Sequence, residues 1–189
     1  GMIGTYGNRW ANIALSRCDA LLVLGSRLDI RQTGADTAAF IAGGKIHHID
    51  VDPGEINNRV TGVEALVQDL APALADLAAA VDAGAPGDHS EWAAEIADLH
   101  EKWPDTGELP EIEGINPNQV MHQLAHPSAS AYVADVGQHQ MWAAQSVELV
   151  DDQRFLTSGG MGAMGSGLPL AVGAAIESGA PVVSINGDG

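Results

Sequence analysis

The sequence has a single cysteine, Cys18, so no disulfide can form within the chain. Basic residues are also scarce: 8 Lys and Arg stand against 25 Asp and Glu, which gives a formal net charge of −17 at pH 7. Such a chain repels polyanions, so we expect neither nucleic acid nor an anionic membrane surface as a partner. No uninterrupted apolar run is long enough to predict a membrane-spanning helix. The lone cysteine fits a reducing compartment, and we expect a cytoplasmic protein.

Short apolar runs alternate with amphipathic or alanine-rich segments along the chain. This alternation predicts an α/β fold, with a doubly wound, Rossmann-like parallel sheet followed by the first part of a second parallel α/β domain. The predicted strands are Ala20–Leu24, Ile46–Val51, Glu64–Val67, Ala131–Asp135 and Val182–Asn186. Helices are predicted over 8–17, from Thr33 or Asp36 to the Gly43-Gly44 pair, over 69–80, 90–103, 118–125 and 140–149, and after Leu168.

Composition divides the chain into a first domain over 1–85, an interdomain connection over 86–115 rich in Gly and Pro, and a second domain over 116–189. The last residue, Gly189, directly follows a predicted parallel strand, which normally needs a crossover to return to its sheet. We therefore expect the chain to be a fragment, with the second domain truncated.

A glycine-rich segment, Ser158–Gly167, is the first stretch that could carry chemistry. Its Gly160-x-Gly162-x-x-Gly165 pattern is formally a dinucleotide fingerprint, because glycines let backbone N–H groups approach a phosphate. The preceding run is short and half polar, which disfavours a nicotinamide-binding site. A turn that only packs a helix against the sheet is the structural alternative.

Two further segments place polar residues where a strand ends. Asp188 follows an apolar strand between two glycines, and a carboxylate there suits Mg²⁺ or Ca²⁺; a simple turn is the alternative. Gln138 and His139 open a predicted helix after another strand, within reach of an anionic or polar ligand. His48, inside its strand, is more simply structural.

The first domain has a comparable arrangement. Arginines follow its first strand within Gly25–Arg31, and Asp50 and Asp52 end the next strand. Arginine suits a diphosphate and an aspartate suits ribose hydroxyls, so this edge could hold a nucleotide. An ion pair between the two loops is the alternative.

Together these segments resemble acetolactate synthase and its close relatives among the thiamine-diphosphate-dependent enzymes. The segments that carry the resemblance, in chain order, are GMIGTYGNRWAN, ALLVLGSRLDIRQTG, IHHIDVDPGEI, VGQHQMWAAQ, SGGMGAMGSGLPLAVGAA and INGDG. Each segment alone is weakly specific, whereas their occurrence in this order is highly specific. The sequence is identified on this basis as part of a central domain and the start of a diphosphate-binding domain.

The resemblance implies a thiamine diphosphate site with Mg²⁺. Asp188 would be a metal ligand, and Met164 would be the apolar support for the bent cofactor. The residues that the resemblance places at thiamine diphosphate are Val136, Gly137, Gln138, His139, Gly162, Met164, Gly187, Asp188 and Gly189. The glutamate that activates the cofactor in this family belongs to a preceding domain, so no catalytic residue is expected in this chain, and the chain alone should be inactive.

The resemblance also implies a structural FAD in the first domain. The matching residues are Ile3, Gly4, Thr5, Tyr6, Gly25, Ser26, Arg27, Leu28, Asp29, Arg31, Asp50, Val51, Asp69 and Leu70. Three positions depart from the family pattern. Ile30 replaces an acidic residue, Tyr6 replaces a histidine, and Ser166 replaces a phenylalanine. These departures bear more on FAD than on thiamine diphosphate, and they suggest a relative with another substrate.

The implied activity is decarboxylation of a 2-oxo acid and transfer of the product to an acceptor, as in branched-chain amino acid biosynthesis. Sulfoacetaldehyde acetyltransferase, oxalyl-CoA decarboxylase, benzoylformate decarboxylase and glyoxylate carboligase are alternatives within the family. An NAD-dependent oxidoreductase or a non-catalytic nucleotide-binding module is less favoured. Because active sites of this family are shared between subunits, a homodimer or homotetramer is expected.

Overall fold

The computed structural model describes residues 1–84, 87–107, 113–124 and 126–188. The chain forms two units, Gly1–Pro104 and Asp105–Gly189. The segment 86–115, which the sequence suggests as a connection, contributes a helix to the first unit and a short 3-10 turn to the second. No helix within the described ranges is long and apolar enough to cross a membrane.

The first unit is built on three parallel strands in the order β1-β2-β3. The strands are β1 (Ala20–Leu24), β2 (Lys45–Asp50) and β3 (Glu64–Val67), and the helices are α1 (Arg9–Arg17), α2 (Ile30–Thr33), α3 (Leu70–Ala83) and α4 (Ser90–Lys102). Leu24, Ile49 and Leu66 lie side by side across the sheet. The opposite face carries Val23 into a core with Phe40 and Ile41.

The second unit has a separate parallel sheet in the order β5-β4-β6. Its elements are a 3-10 turn (Asp105–Gly107), α5 (Pro117–Gln123), β4 (Ala131–Ala134), α6 (Gln138–Ser146), β5 (Arg154–Thr157), α7 (Gly167–Ser178) and β6 (Val182–Ile185). The central strand β4 is completely buried. This agrees with its uninterrupted apolar sequence, which is typical of a strand covered on both faces.

Local sequence explains where several helices begin. The Asp69 carboxylate accepts a hydrogen bond from Ala71 N at 2.8 Å and caps α3, with Pro72 in the first turn, where its missing N–H costs nothing. Asn116 caps α5 in the same way, by accepting from Asn118 N and Gln119 N. The parallel α/β fold class and the predicted strands are confirmed, with ends shifted by a residue at most.

The helix predicted from Thr33 or Asp36 to Gly43 is wrong. The helix here is the single turn α2, which starts earlier because Asp29 and Gln32 form a capping box. It stops at Gly34, and the Asp36 carboxylate then accepts from Ala38 N and Ala39 N in a turn. The sequence suggested a helix through its start and stop residues, whereas Phe40 and Ile41, which lie between them, enter the core from turns.

Candidate functional site

A cleft opens at the carboxyl ends of β4 and β6 in the second unit, with a volume of about 840 Å³. The chain leaves the central strand β4 to form β5 on one side and later enters β6 on the other side. Such a switch point is where open α/β sheets bind ligands. The lining residues are Asp135, Val136, Gly137, Gln138, His139, Trp142, Met164, Gly165, Asn186, Gly187 and Asp188. Most of the residues expected at thiamine diphosphate therefore lie around one cleft.

His139 lies at the start of α6 in a space that two glycines leave open. A Cβ at Gly137 would lie 2.6 Å from the His139 ring, and a Cβ at Gly187 would lie 3.1 Å from it. The Nε2 atom of His139 is buried and has no hydrogen-bond partner among the described residues. Because a buried polar atom normally has a partner, this nitrogen is suited to a polar ligand in the cleft.

The glycine-rich turn between β5 and α7 brings Met164 to the same cleft. Gly162 and Gly165 adopt left-handed φ values of +65° and +83°, which favour glycine. Ser158 stabilises the turn internally, because its carbonyl accepts from Gly162 N and its hydroxyl accepts from Ala163 N, both at 3.0 Å. The Met164 side chain is 79% exposed in this chain. Gly162 shapes the turn, whereas Met164 and Gly165 line the cleft.

Asp135 is a cleft residue that the sequence-based site did not include. Its carboxylate accepts hydrogen bonds from Val136 N at 2.8 Å and from Gly165 N at 2.9 and 3.0 Å. The hydrogen bond from Val136 N is the main reason that the pKa of Asp135 lies below its ordinary value, against the opposing effect of burial. A strand that ends in an aspartate before Val-Gly was the signal that could have identified it.

Asp188 follows β6 and lies exposed at the rim of the cleft, beside Gly187. Gly189, expected beside it, lies outside the described residues. Within the described part of the chain, no three His, Cys, Asp or Glu side chains come together as a metal site. Asp188, the metal ligand that the resemblance implies, is therefore not part of a three-residue cluster of this kind.

The dinucleotide interpretation of the glycine-rich turn meets a topological obstacle. That fingerprint belongs to a βαβ unit, and its flanking strands are normally neighbours. Here α7 connects β5 to β6, and β4 lies between those two strands. The structural alternative, a turn that packs a helix against the sheet, does apply: a Cβ at Gly167 would lie 2.6 Å from Asp135 Cβ and 2.7 Å from Asn186 Oδ1.

The residues expected at FAD gather at the carboxyl edge of the first unit. Gly25 to Asp29 follow β1, Asp50 and Val51 end β2, and Asp69 with Leu70 follow β3. The N-terminal segment reaches the same region, because Thr5 N donates to Arg31 O at 2.7 Å. The parallel strands thus bring these separate segments to one edge of the sheet.

Several of these side chains already have partners within the unit. The Asp50 carboxylate is buried and accepts from Asp52 N at 2.9 Å, and Leu28 is part of the core. Arg27 forms an ion pair with Glu55 at 3.1 Å. An ion pair does therefore join the two loops, although it uses Glu55 rather than Asp50 or Asp52. His48, which the sequence suggests is structural, is only 1% exposed within β2.

Comparison with known proteins agrees with this geometry. Residues 135–189 match the thiamine pyrophosphate enzyme C-terminal TPP binding domain, and residues 1–77 match the central domain of the same enzymes. The chain is 36% identical to the acetolactate synthase large subunit of Cyanidium caldarium, over 94% of this chain and 31% of the relative. It is 36% identical to the acetolactate synthase isozyme 2 large subunit of Escherichia coli K12, over 100% of this chain and 34% of the relative. It is 37% identical to acetolactate synthase 1, chloroplastic, of Zea mays, over 100% of this chain and 30% of the relative. The chain thus spans about a third of the length of these relatives. It belongs to the thiamine pyrophosphate enzyme family.

Proposed function

We propose that the whole protein is a thiamine diphosphate- and Mg²⁺-dependent enzyme that decarboxylates a 2-oxo acid and transfers the product to an acceptor, as an acetolactate synthase. The cleft between β4 and β6 carries the proposal, because it lies in the part of the chain that matches a TPP binding domain. Similarity to acetolactate synthase large subunits along the chain supports the choice of reaction.

The cleft residues fit the diphosphate end of the cofactor. Among the described residues no side chain caps α6, so the first N–H groups of this helix lack a capping partner. They lie at the end of the helix that lines the cleft, where an anion is favoured. Gln138 and the unpartnered Nε2 of His139 add polar contacts at the same end. Val136, Gly137 and Gly187 would approach the cofactor through their backbone. When bound, the cofactor supplies the electron sink for decarboxylation.

Asp188 is the residue that we propose as a Mg²⁺ ligand. Mg²⁺ usually takes one or two carboxylates from a protein and completes its shell with phosphate oxygens and water. A single carboxylate at the rim of an anion-binding cleft therefore fits the metal that accompanies a diphosphate. The exposure of Asp188 in this chain leaves its oxygens open to such a contact.

Met164 and Trp142 give the cleft an apolar part next to these polar groups. We propose that Met164 supports the cofactor rings and that both side chains keep water from the reacting carbon. The proposed substrate is a small 2-oxo acid such as pyruvate. Within the family, sulfoacetaldehyde, oxalyl-CoA, benzoylformate and glyoxylate are the competing substrates that an assay must compare.

We further propose that the first unit binds FAD in a structural role. The convergence of three strand ends and the N-terminal segment at one edge supports a nucleotide there. Asp50 and Asp69 are engaged with backbone N–H groups, whereas Arg31 and Val51 are exposed and open to contact. A purified whole protein without flavin absorbance, and with no gain in thermal stability on adding FAD, would remove this proposal.

We propose a cytoplasmic homodimer or homotetramer. The support for an oligomer is that Leu168, Val172 and Ile176 of α7 are all more than half exposed in this chain, and we propose that a second subunit covers the part of this surface that the rest of the whole protein leaves open. A helix that is apolar all round is normally buried in the assembled protein. Light scattering of the whole protein tests this, and a monomer at micromolar concentration would contradict it.

The decisive experiment is an assay of the whole protein with pyruvate, thiamine diphosphate and Mg²⁺. We expect CO₂ release with acetolactate as the product, and we expect Asp188→Asn to raise the Mg²⁺ concentration required for activity. Asp152→Asn, an exposed acid outside the cleft, is the matched control. Absence of CO₂ release with pyruvate, oxalyl-CoA, benzoylformate and glyoxylate would refute the decarboxylase proposal. Sulfoacetaldehyde has no carboxylate, so its turnover is followed by release of sulfite instead.

A further inference from the structure

Asp135 lies where three elements of the second unit meet. It directly follows β4, and its carboxylate accepts from Gly165 N with both oxygens, at 2.9 and 3.0 Å. At the same point α7 begins with Gly167, and the absence of a side chain there lets the helix pack closely against Asp135. A Cβ at Gly167 would lie only 2.6 Å from Asp135 Cβ. One buried carboxylate thus joins the central strand, the glycine-rich turn and the start of a helix.

The contact to Gly165 differs in kind from the other hydrogen bonds of the turn. Those made by Ser158 to Gly162 and Ala163, and by Ser166 Oγ to Ala163 O, hold the turn together internally. The bonds to Asp135 instead attach the turn to the end of β4, about 30 residues earlier in the chain. Internal bonds fix the shape of a loop, whereas this attachment fixes its place.

We propose that Asp135 is a positioning residue of the cofactor cleft: its carboxylate holds the glycine-rich turn, and with it Met164, against the end of β4. The proposal rests on the proposed function, because it assigns a purpose to the position of Met164. Asp135 itself does not need to touch the cofactor. It acts by ordering the glycine-rich turn before the cofactor binds, so that less conformational entropy is lost on binding.

The ionised carboxylate is essential to this role. Two acceptor oxygens face Gly165 N, and a low pKa keeps both of them as acceptors at neutral pH. Asparagine has nearly the same shape, but one of its two positions is an NH₂ donor, which cannot accept from an N–H. Asp135→Asn therefore weakens the attachment without changing the packing around Gly167.

The test uses the whole protein with Asp135→Asn and Asp135→Glu. Hydrogen exchange of the segment 159–168 is measured without cofactor, and thiamine diphosphate affinity is then measured by titration of tryptophan fluorescence in saturating Mg²⁺. We expect Asp135→Asn to speed exchange of this segment and to weaken cofactor binding by roughly ten-fold or more, as the loss of a hydrogen bond to a charged group does. Asp135→Glu should recover part of both effects. The control Asp151→Asn makes the same charge change on an exposed loop residue and should change neither.

Two results would overturn the proposal. If the Asn variant lowers thermal stability but its folded fraction binds thiamine diphosphate like the wild type, Asp135 is only structural. If exchange of 159–168 is unchanged, the turn does not depend on Asp135. Failure of the wild-type protein to bind thiamine diphosphate would instead refute the proposed function, and the exchange measurement would still test the attachment of the turn.

Discussion

The start of α7 offers the sharpest test of how the second unit is packed. Replacing Gly167 by alanine adds one methyl group where the helix meets two strand ends. That carbon would lie 2.6 Å from Asp135 Cβ, 3.0 Å from Asp135 Cα and 2.7 Å from Asn186 Oδ1. Ordinary contacts between carbon atoms are about 3.5–4.0 Å, so the overlap is close to 1 Å and one contact is with the backbone. A change of rotamer therefore cannot relieve it.

Two effects of opposite sign decide the outcome. Alanine favours a helix over glycine by up to about 1 kcal/mol, which by itself would stabilise α7. Overpacking costs about 1–3 kcal/mol, and the fixed position of the strand ends places this site in the upper part of that range. We therefore expect the free energy of opening α7 to fall by about 1–2 kcal/mol in Gly167→Ala. Gly173→Ala is the matched control, because no described atom other than its chain neighbours and the nearby backbone of α7 lies within 4 Å of its Cβ position.

Hydrogen exchange of the α7 amides in the 189-residue chain measures this energy without requiring both units to unfold together. Gly167→Ala should exchange roughly 5- to 30-fold faster than the wild type, and Gly173→Ala up to about 5-fold more slowly. Equal shifts in the same direction would refute the reasoning, because they would mean that helix propensity alone sets the stability of α7.

Three further predictions concern other parts of the chain. Burial raises the pKa of Asp105, but the hydrogen bonds from Ser146 and His122 outweigh this effect and hold the pKa below its ordinary value. The ionised Asp105 carboxylate therefore stabilises the folded state above about pH 3.9, and this contribution is lost as the pH falls through the folded-state pKa. Asp105→Asn should then lower stability by about 1.5–3 kcal/mol at pH 7 and by less at pH 3, measured by urea denaturation. Gly25→Ala should cost about 1–2 kcal/mol in the same assay, because φ is +60° there. Met164→Ala should change stability by less than about 0.5 kcal/mol, since the side chain is exposed, yet should lower turnover of the whole protein roughly ten-fold or more.

Much of the fold follows from local sequence signals. Parallel strands were predictable from uninterrupted apolar runs such as β4, and several helix starts from capping residues such as Asp69 and Asn116. The segment after Gly34 was not predictable by the same means. There the sequence offers residues that can start and stop a helix, but Phe40 and Ile41, which lie between them, reach the core from turns. Start and stop signals mark where a helix could lie, and tertiary packing decides whether the residues between them form one.

The candidate site shows a similar division. The pattern of a strand edge near a glycine predicted Gln138, His139 and Asp188, because this pattern is local. Met164 was expected at the site only from the resemblance to acetolactate synthase. Asp135 was missed although it stands within one of those motifs. Its main partner, Gly165, lies 30 positions later, and no local pattern reports a hydrogen bond between a strand end and a distant turn. Residues that contact a ligand can be read from motifs more easily than residues that position them.

The strand order explains why one cleft can be built from such distant segments. Because β4 is central and the chain continues to opposite sides of it, the loops that leave its carboxyl end and that of β6 diverge and open a space. The turn after β5 closes that space only if something holds it toward β4, since β5 lies on the far side from β6. The Asp135 carboxylate supplies that hold. The glycine-rich turn, which alone suggests a dinucleotide site, thereby becomes one wall of a cleft whose other walls follow β4 and β6.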